Sequence, residues 1–206
     1  MRTTVLGVIV VAGALLASAC SPASLGAPVP AAPPPITSPS TASGPGAAEN
    51  WGAPRVTKPL DVAKYLPNPC AALKPSQLKS LGLPQEGLLD NSNLGNICSW
   101  GLRSDTTYDL GFNVAFSEGD PPGLANAYKV AGASAMRRLS DIYGVPAATE
   151  PGQNTNGSCT IYLGATDTIE YAAAVVIGFG APHYQNPCSA AHQLAMYATA
   201  TMRSGR

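Results

Sequence analysis

Residues 108–116 read Tyr-Asp-Leu-Gly-Phe-Asn-Val-Ala-Phe, and a large apolar side chain occupies every second position of this stretch. Because successive side chains of a β-strand point to opposite faces, the alternation predicts a strand with one buried face. That face would carry Tyr108, Leu110, Phe112, Val114 and Phe116. A strand that is apolar on one side only is typical of an antiparallel sheet packed against a core.

The same alternation occurs in three neighbouring stretches. Residues 98–102 precede the first stretch, and the polar residues 104–107 between them predict a hairpin turn. Residues 159–163 and 169–179 repeat the arrangement, with a turn at 164–167. Two hairpins are therefore predicted, and residues 142–145 could add a short strand.

Helices are predicted before, between and after the hairpins. Pro75 at a first helical position and Gly82 just past the end indicate a short helix over 75–81. Residues 90–96 read as a loop, and residues 124–136 have helical composition. After Asn186-Pro187-Cys188 a last helix is predicted whose apolar stripe contains Ala191, Leu194, Ala195, Ala198 and Met202. We expect an α+β fold in which an antiparallel sheet of four to five strands carries helices on one face, pinned by two disulfides.

The first residues have the pattern of a secretory leader. Arg2 provides a positive charge, and the apolar residues 5–16 are too few for a membrane span of about 20 residues. Residues 17–20 read Ala-Ser-Ala-Cys, which suits either general signal-peptide cleavage or lipoprotein processing. We expect a signal peptide over 1–19 and lipidation of Cys20, with plain secretion as the alternative.

A segment of Ala, Pro, Ser, Gly and Thr follows the cysteine. Three consecutive prolines, Pro33 to Pro35, exclude a regular helix or central strand there. Few large apolar residues are available to offset the entropy of ordering, so residues 20–54 are predicted to be a lipid-anchored disordered tether. Residues 55–206 would form the extracytoplasmic domain.

The charges are balanced. Without Arg2 the chain has eleven Lys and Arg against twelve Asp and Glu, so a basic surface for nucleic acid is not expected. The expected partners are the membrane, through the lipid, and an envelope protein, peptide or lipid.

Five cysteines become four once Cys20 is assigned to lipid. Four cysteines in an oxidising compartment predict two disulfides, with three connectivities available to Cys70, Cys98, Cys159 and Cys188. In both halves an Asn-Pro-Cys helix start accompanies a cysteine at a strand start, which favours Cys70 with Cys98 and Cys159 with Cys188. Each bond would contribute on the order of 3 kcal/mol. Zinc is disfavoured because no Cys-x-x-Cys or histidine spacing accompanies these residues.

No catalytic motif is recognisable. His183 and His192 are the only histidines, and neither lies near an acidic residue at a catalytic or metal-ligand spacing. We therefore predict no catalytic residue, no metal and no cofactor. The aromatic residues of the hairpins would mostly form core, or, if part of the set is exposed, the floor of a lipid or peptide site; they are Trp100, Tyr108, Phe112, Tyr162 and Tyr171.

Several short motifs together carry a resemblance. They are Pro59-Leu60-Asp61, Asn68-Pro69-Cys70, Gln77-Leu78 before Leu81-Gly82-Leu83, Cys98-Ser99-Trp100, Cys159, and Cys188 with Ala191 and Leu194-Ala195. In these motifs the chain resembles the actinobacterial secreted lipoproteins that carry a domain of unknown function. The resemblance covers roughly residues 55–203 and implies a localisation and a fold, but no catalytic residue or ligand.

Three functional hypotheses follow. The first is a cell-envelope lipoprotein that acts as a non-enzymatic binding or interaction module on the outer face of the cytoplasmic membrane. The second is an envelope enzyme or processing factor whose site is assembled only on folding. The third is a structural accessory lipoprotein.

Overall fold

A computed structural model of the protein describes residues 50–92, 95–103, 109–153 and 157–205. These residues form a seven-stranded sheet in which every neighbouring pair is antiparallel. In chain order the strands are β1 (Leu88–Ser92), β2 (Gly95–Arg103), β3 (Asp109–Ser117), β4 (Arg137–Arg138), β5 (Ala147–Thr149), β6 (Ser158–Gly164) and β7 (Glu170–Ile177). Their order across the sheet is β1-β2-β3-β7-β6-β5-β4, which places the two long predicted strands side by side at the centre.

The prediction of four to five strands is wrong, because the sheet has seven. The four predicted strands are β2, β3, β6 and β7, and β1, β4 and β5 extend the sheet at its two edges. β1 occupies part of the predicted loop 90–96, where pairing with β2 orders residues of low strand propensity. β4 and β5 are two and three residues long, too short to show an alternation in sequence.

The suggested strand at residues 142–145 is instead a turn, closed by hydrogen bonds between Ile142 and Val145 in both directions. The chain reverses here within a few residues, with Tyr143 and Gly144 both at positive φ. A turn of this kind buries Val145 without adding a strand to the sheet.

Three α-helices are described: α1 (Pro75–Ser80), α2 (Ala125–Ala131) and α3 (Pro187–Ser204). A proline occupies the first turn of α1 and of α3, where its missing N–H costs nothing. α2 is shorter than predicted because Gly132, at φ 83°, ends it. Asn68-Pro69 begins a short 3-10 helix, Pro69–Ala72, and a second one spans Pro151–Gln153.

One side of the sheet, here called the packed face, forms the main core. It carries the buried side chains of Cys98, Trp100, Phe112, Val114, Phe116, Cys159, Ile161, Leu163, Tyr171, Ala173 and Val175. α3 lies on this face, and all five residues of its predicted apolar stripe are buried there. Tyr108 and the side chain of Leu110 lie outside the described part of the chain.

The opposite side, here called the groove face, carries mostly small or polar side chains. They include Ile97, Ser99, Asn113, Ala115, Ser117, Thr160, Tyr162, Glu170, Ala172 and Ala174. α2 covers part of it, since Ala127 and Tyr128 pack in one cluster with Ala148 and Tyr162. Helices therefore lie on both faces, and the prediction of helices on one face is wrong.

Two disulfides cross-link the packed face. Cys70–Cys98 joins the first 3-10 helix to β2, and Cys159–Cys188 joins β6 to the start of α3, with Cα atoms 5.0 and 5.1 Å apart. Cys98 faces Val114 across the ladder and Cys159 faces Val175, so the bonds occupy similar places in the two hairpins. Within the described residues, no helix is long and apolar enough to cross a bilayer.

Candidate functional site

A groove of about 330 Å³ separates α2 from the groove face of the sheet. Its walls are mainly apolar, and six of the residues that form them are Ile97, Ala115, Ala127, Val130, Ala131 and Ala172. Alanines on both sides leave the space open, since larger side chains at these positions would fill it. The volume lies at the lower end of the range for small-molecule sites, about 300 to 1,000 Å³.

Glu170 is the buried polar residue of the groove. It is the first residue of β7, and its side chain is only 6% exposed. One carboxylate oxygen, Oε1, accepts a hydrogen bond of 3.2 Å from Nδ2 of Asn126 on α2, and the backbone N–H of Ala127 also faces the carboxylate. The other oxygen, Oε2, is buried and has no hydrogen-bond partner among the described residues.

Burial raises the pKa of the Glu170 carboxyl above its ordinary value, and the hydrogen bonds from Asn126 and Ala127 oppose that rise. The energetic cause is desolvation, because a carboxylate loses its water shell when α2 covers it. Glu170 therefore holds its proton more tightly in the folded domain than an exposed glutamate does.

Tyr162, Glu150 and Ser117 complete the polar part of the groove. Burial raises the pKa of the Tyr162 hydroxyl, and the negative charges of Glu150 and Glu170 raise it further. Glu150, Glu170 and Tyr162 all line this one cavity, and the two negative charges disfavour ionisation of the Tyr162 hydroxyl. The described lining contains no lysine, arginine or histidine, so the groove is acidic as well as apolar.

The predicted aromatic set divides between the two faces. Trp100, Phe112 and Tyr171 are buried in the main core, as expected of hairpin aromatics. The Tyr171 hydroxyl is hydrogen-bonded to Thr199 of α3, and burial raises its pKa. Tyr162 lies in the groove, and Tyr108 is outside the described residues. Of the described aromatics in this set, Tyr162 alone lines the cavity.

The other predicted site residues lie away from the groove. His183 is exposed in a turn at φ 68°, and His192 is exposed on α3. In the described ranges, no group of three or more His, Cys, Asp or Glu side chains could hold a metal ion. Cys20, the predicted lipidation site, lies outside these ranges.

Sequence reasoning did not identify Glu170, Glu150 or Asn126 as site residues. One signal was available, because Glu170 is the only charged residue between positions 169 and 179. It shares its side of β7 with Ala172 and Ala174. One charged residue with two alanines is typical neither of a buried apolar face nor of a polar face exposed to solvent. The position of α2 above it could not be read from the sequence.

A second concavity of about 390 Å³ lies near the end of β3, lined in part by Leu66, Asn96, Phe116 and Glu118. The Asn96 amide there donates to the Leu66 carbonyl at 2.9 Å. Neither of the two buried, unpaired side-chain polar atoms found among the described residues belongs to this lining. The groove under α2 is therefore the stronger candidate site.

Fold and site together define a small α+β domain, cross-linked by two disulfides, with an acidic apolar groove on the side of the sheet opposite the disulfides. Over residues 15–201 the chain matches the model of the family described as protein of unknown function (DUF3558), and it belongs to that family. This match confirms the predicted domain of unknown function, while an actinobacterial lipoprotein origin stays a prediction. No curated protein and no solved structure matched the chain.

Proposed function

We propose that this protein is a non-enzymatic binding module held on the outer face of the cytoplasmic membrane, and that the groove under α2 is its ligand site. The observation that carries the proposal is the groove itself: a cavity of about 330 Å³ with apolar walls and a few polar groups that converge on it. Most small-molecule sites in proteins have this combination, in which the walls provide affinity and the polar groups fix orientation.

The membrane location is supported by the leader pattern, by Cys20 and by the Pro- and Ala-rich segment that follows it. Two disulfides suit an oxidising compartment. The lipid on Cys20 would attach the protein to the membrane, and the tether would hold the domain above it. An envelope peptide, lipid or protein is the expected class of partner, and balanced charge disfavours nucleic acid.

The groove can be tested with a matched pair of variants on β7. Ala172 lines the groove, whereas Ala174 lies two residues along the same side of the strand, is similarly half-buried, and is not part of the lining. Native mass spectrometry of protein purified from its own envelope should show a retained ligand in the wild type and in Ala174→Phe. The ligand should be lost in Ala172→Phe.

Both variants must show the same thermal unfolding midpoint within a few degrees for the comparison to count. Loss of the retained mass in both variants, or in neither, would contradict the assignment of the groove. The absence of any retained mass from wild-type protein would contradict the proposal as a whole.

The anchor has its own test, which does not depend on the groove. Cys20→Ser should release the protein from the membrane fraction into the medium, and mature wild-type protein should carry the mass of a lipid. An unmodified mature mass would contradict lipidation and favour plain secretion.

An enzyme is the second candidate, and Glu170 is the observation that favours it. The Glu170 carboxyl is buried and its pKa is raised, and carboxyls in such surroundings serve as general acids in enzymes. Turnover of an envelope substrate that Glu170→Gln abolishes would replace the binding proposal with this one.

A further inference from the structure

The unpaired oxygen of Glu170 identifies the kind of group that the groove accepts. Oε2 is buried without a partner among the described residues, although Oε1 of the same carboxylate is hydrogen-bonded to Asn126. More than nine in ten buried polar groups in proteins have a partner, and an unpaired one has lost its hydration without compensation. Glu170 lines the groove, and a ligand whose donor displaces the atoms that cover Oε2 would remove this cost.

The charges around the groove determine whether a cationic or a neutral hydrogen-bond donor is favoured as ligand. Glu150 lines the same cavity, and no cationic side chain is found in the described lining. Two cations lie on or near α2, but both are engaged elsewhere. Lys129 donates to the Asp120 carbonyl at 3.1 Å, and Arg138 pairs with Asp141 at 3.5 Å. A positively charged donor is therefore favoured over a neutral one, and an anion is disfavoured.

The walls limit the rest of the ligand. Ile97, Val130 and the surrounding alanines offer only apolar contact, so the polar groups of the lining occupy a small part of the wall. A cavity of about 330 Å³ accommodates one ring or a short alkyl chain. The complementary molecule has a compact apolar body and one donor group at its end.

Resting on the proposed function, we infer that the groove binds an ammonium group carried on a short apolar chain, with Glu170 Oε2 as its acceptor and Glu150 as a second negative charge. The ammonium has three donors, so it can bond Oε2 and still reach a second acceptor. A bond between an ammonium and a carboxylate is charge-assisted, and it is about twice as strong as a neutral one. The same chemistry is found in a free alkylamine and in the side chain of a lysine on a partner peptide.

Three soluble probes of nearly equal size test the charge preference on the intact, oxidised domain. They are phenylbutylamine, phenylbutanol and phenylbutyrate, each titrated by calorimetry at neutral pH. The amine should bind roughly ten- to a hundredfold more tightly than the alcohol, and the carboxylate should bind more weakly than either. A short peptide with one lysine, compared with the same peptide acetylated at that lysine, distinguishes a protein source from a free amine.

Glu170→Gln tests the named acceptor, because it keeps the size of the side chain and removes its charge. This variant should bind the amine and the alcohol with affinities within about threefold of each other. Glu118→Gln, which removes an exposed carboxylate from the second concavity, should leave the wild-type preference unchanged. A cooperative thermal unfolding transition in each variant is the control for correct folding.

Equal binding of the three probes in the wild type, or an unchanged amine preference in Glu170→Gln, would overturn the inference while leaving the groove as a binding site. Failure of the wild type to bind the amine at millimolar concentration would also overturn it. The proposed function fails separately, if protein from the native envelope retains no ligand.

Discussion

The two faces of the sheet are built from alternate residues of the same strands, yet they differ in almost every physical respect. The packed face carries large apolar side chains under α3, an 18-residue helix, and both disulfides are attached to it. The groove face carries alanine, serine and asparagine under α2, a seven-residue helix. One side of each strand supplies stability, and the other side is therefore free to form a site.

The largest expected effect comes from the packed face. Leu194→Ala removes a fully buried side chain of α3 and should lower the free energy of unfolding by about 2 to 5 kcal/mol. Val130→Ala is the corresponding truncation on α2, where the side chain is 79% exposed. It should change the unfolding free energy by less than about 0.5 kcal/mol. Urea unfolding measures both, and similar losses would contradict the difference between the faces.

Removal of one disulfide should have the next largest effect. The double variant Cys159→Ser with Cys188→Ser opens a loop with a sequence separation of 29 residues and should cost on the order of 3 kcal/mol. Because this bond lies on the packed face, ligand retention by folded molecules should be unaffected. Chemical denaturation measures the loss of stability, and native mass spectrometry measures ligand retention. Loss of the ligand from the folded double variant would show that the disulfide on the packed face also affects the groove.

Two adjacent residues of β7 provide a direct comparison of the faces. Ala173 is fully buried on the packed face, and its neighbour Ala174 is half-buried on the groove face. Ala173→Ser places a hydroxyl in the core and should cost about 1 to 3 kcal/mol. Ala174→Ser should be nearly neutral. Thermal unfolding would contradict the expected difference if both variants lost the same stability.

The smallest expected effect concerns Glu170 and depends on pH. The raised pKa means that the folded state binds this proton more tightly than the unfolded state, whose value is close to 4.5. Stability from this group is therefore present below about pH 4.5 and is lost as pH rises through the folded pKa.

Glu170→Gln has no carboxylate to ionise, so it should exceed the wild type in unfolding free energy at neutral pH, by about 1 kcal/mol. The difference should shrink as the pH falls towards 4.5. Unfolding free energies measured across this pH range check the trend. A constant difference at all pH values would contradict the assignment to Glu170.

The sequence predicted the parts of the fold that rest on long, regular patterns. Alternation identified β2, β3, β6 and β7, and the apolar stripe of α3 identified its buried side. The similar placement of Cys70–Cys98 and Cys159–Cys188 was also visible as a repeated Asn-Pro-Cys next to a strand.

The remaining features depend on tertiary neighbours. β1, β4 and β5 are strands because a neighbour offers hydrogen bonds to them, not because their residues favour extended structure. The groove exists because α2 crosses the small-residue side of the sheet, and Glu170 is buried for the same reason. No local pattern encodes the position of a short helix above a strand far along the chain.

Neither disulfide joins α2 to the sheet, so apart from the backbone on either side the roof of the groove is held by non-covalent contacts. Segments with a small buried apolar area open locally at a lower free energy than the core. Amide hydrogens of α2 should therefore exchange with solvent through openings that leave β3 and β7 protected. A ligand that bridges α2 and Glu170 would add its binding free energy to the attachment of α2, and it should therefore slow hydrogen exchange in this helix.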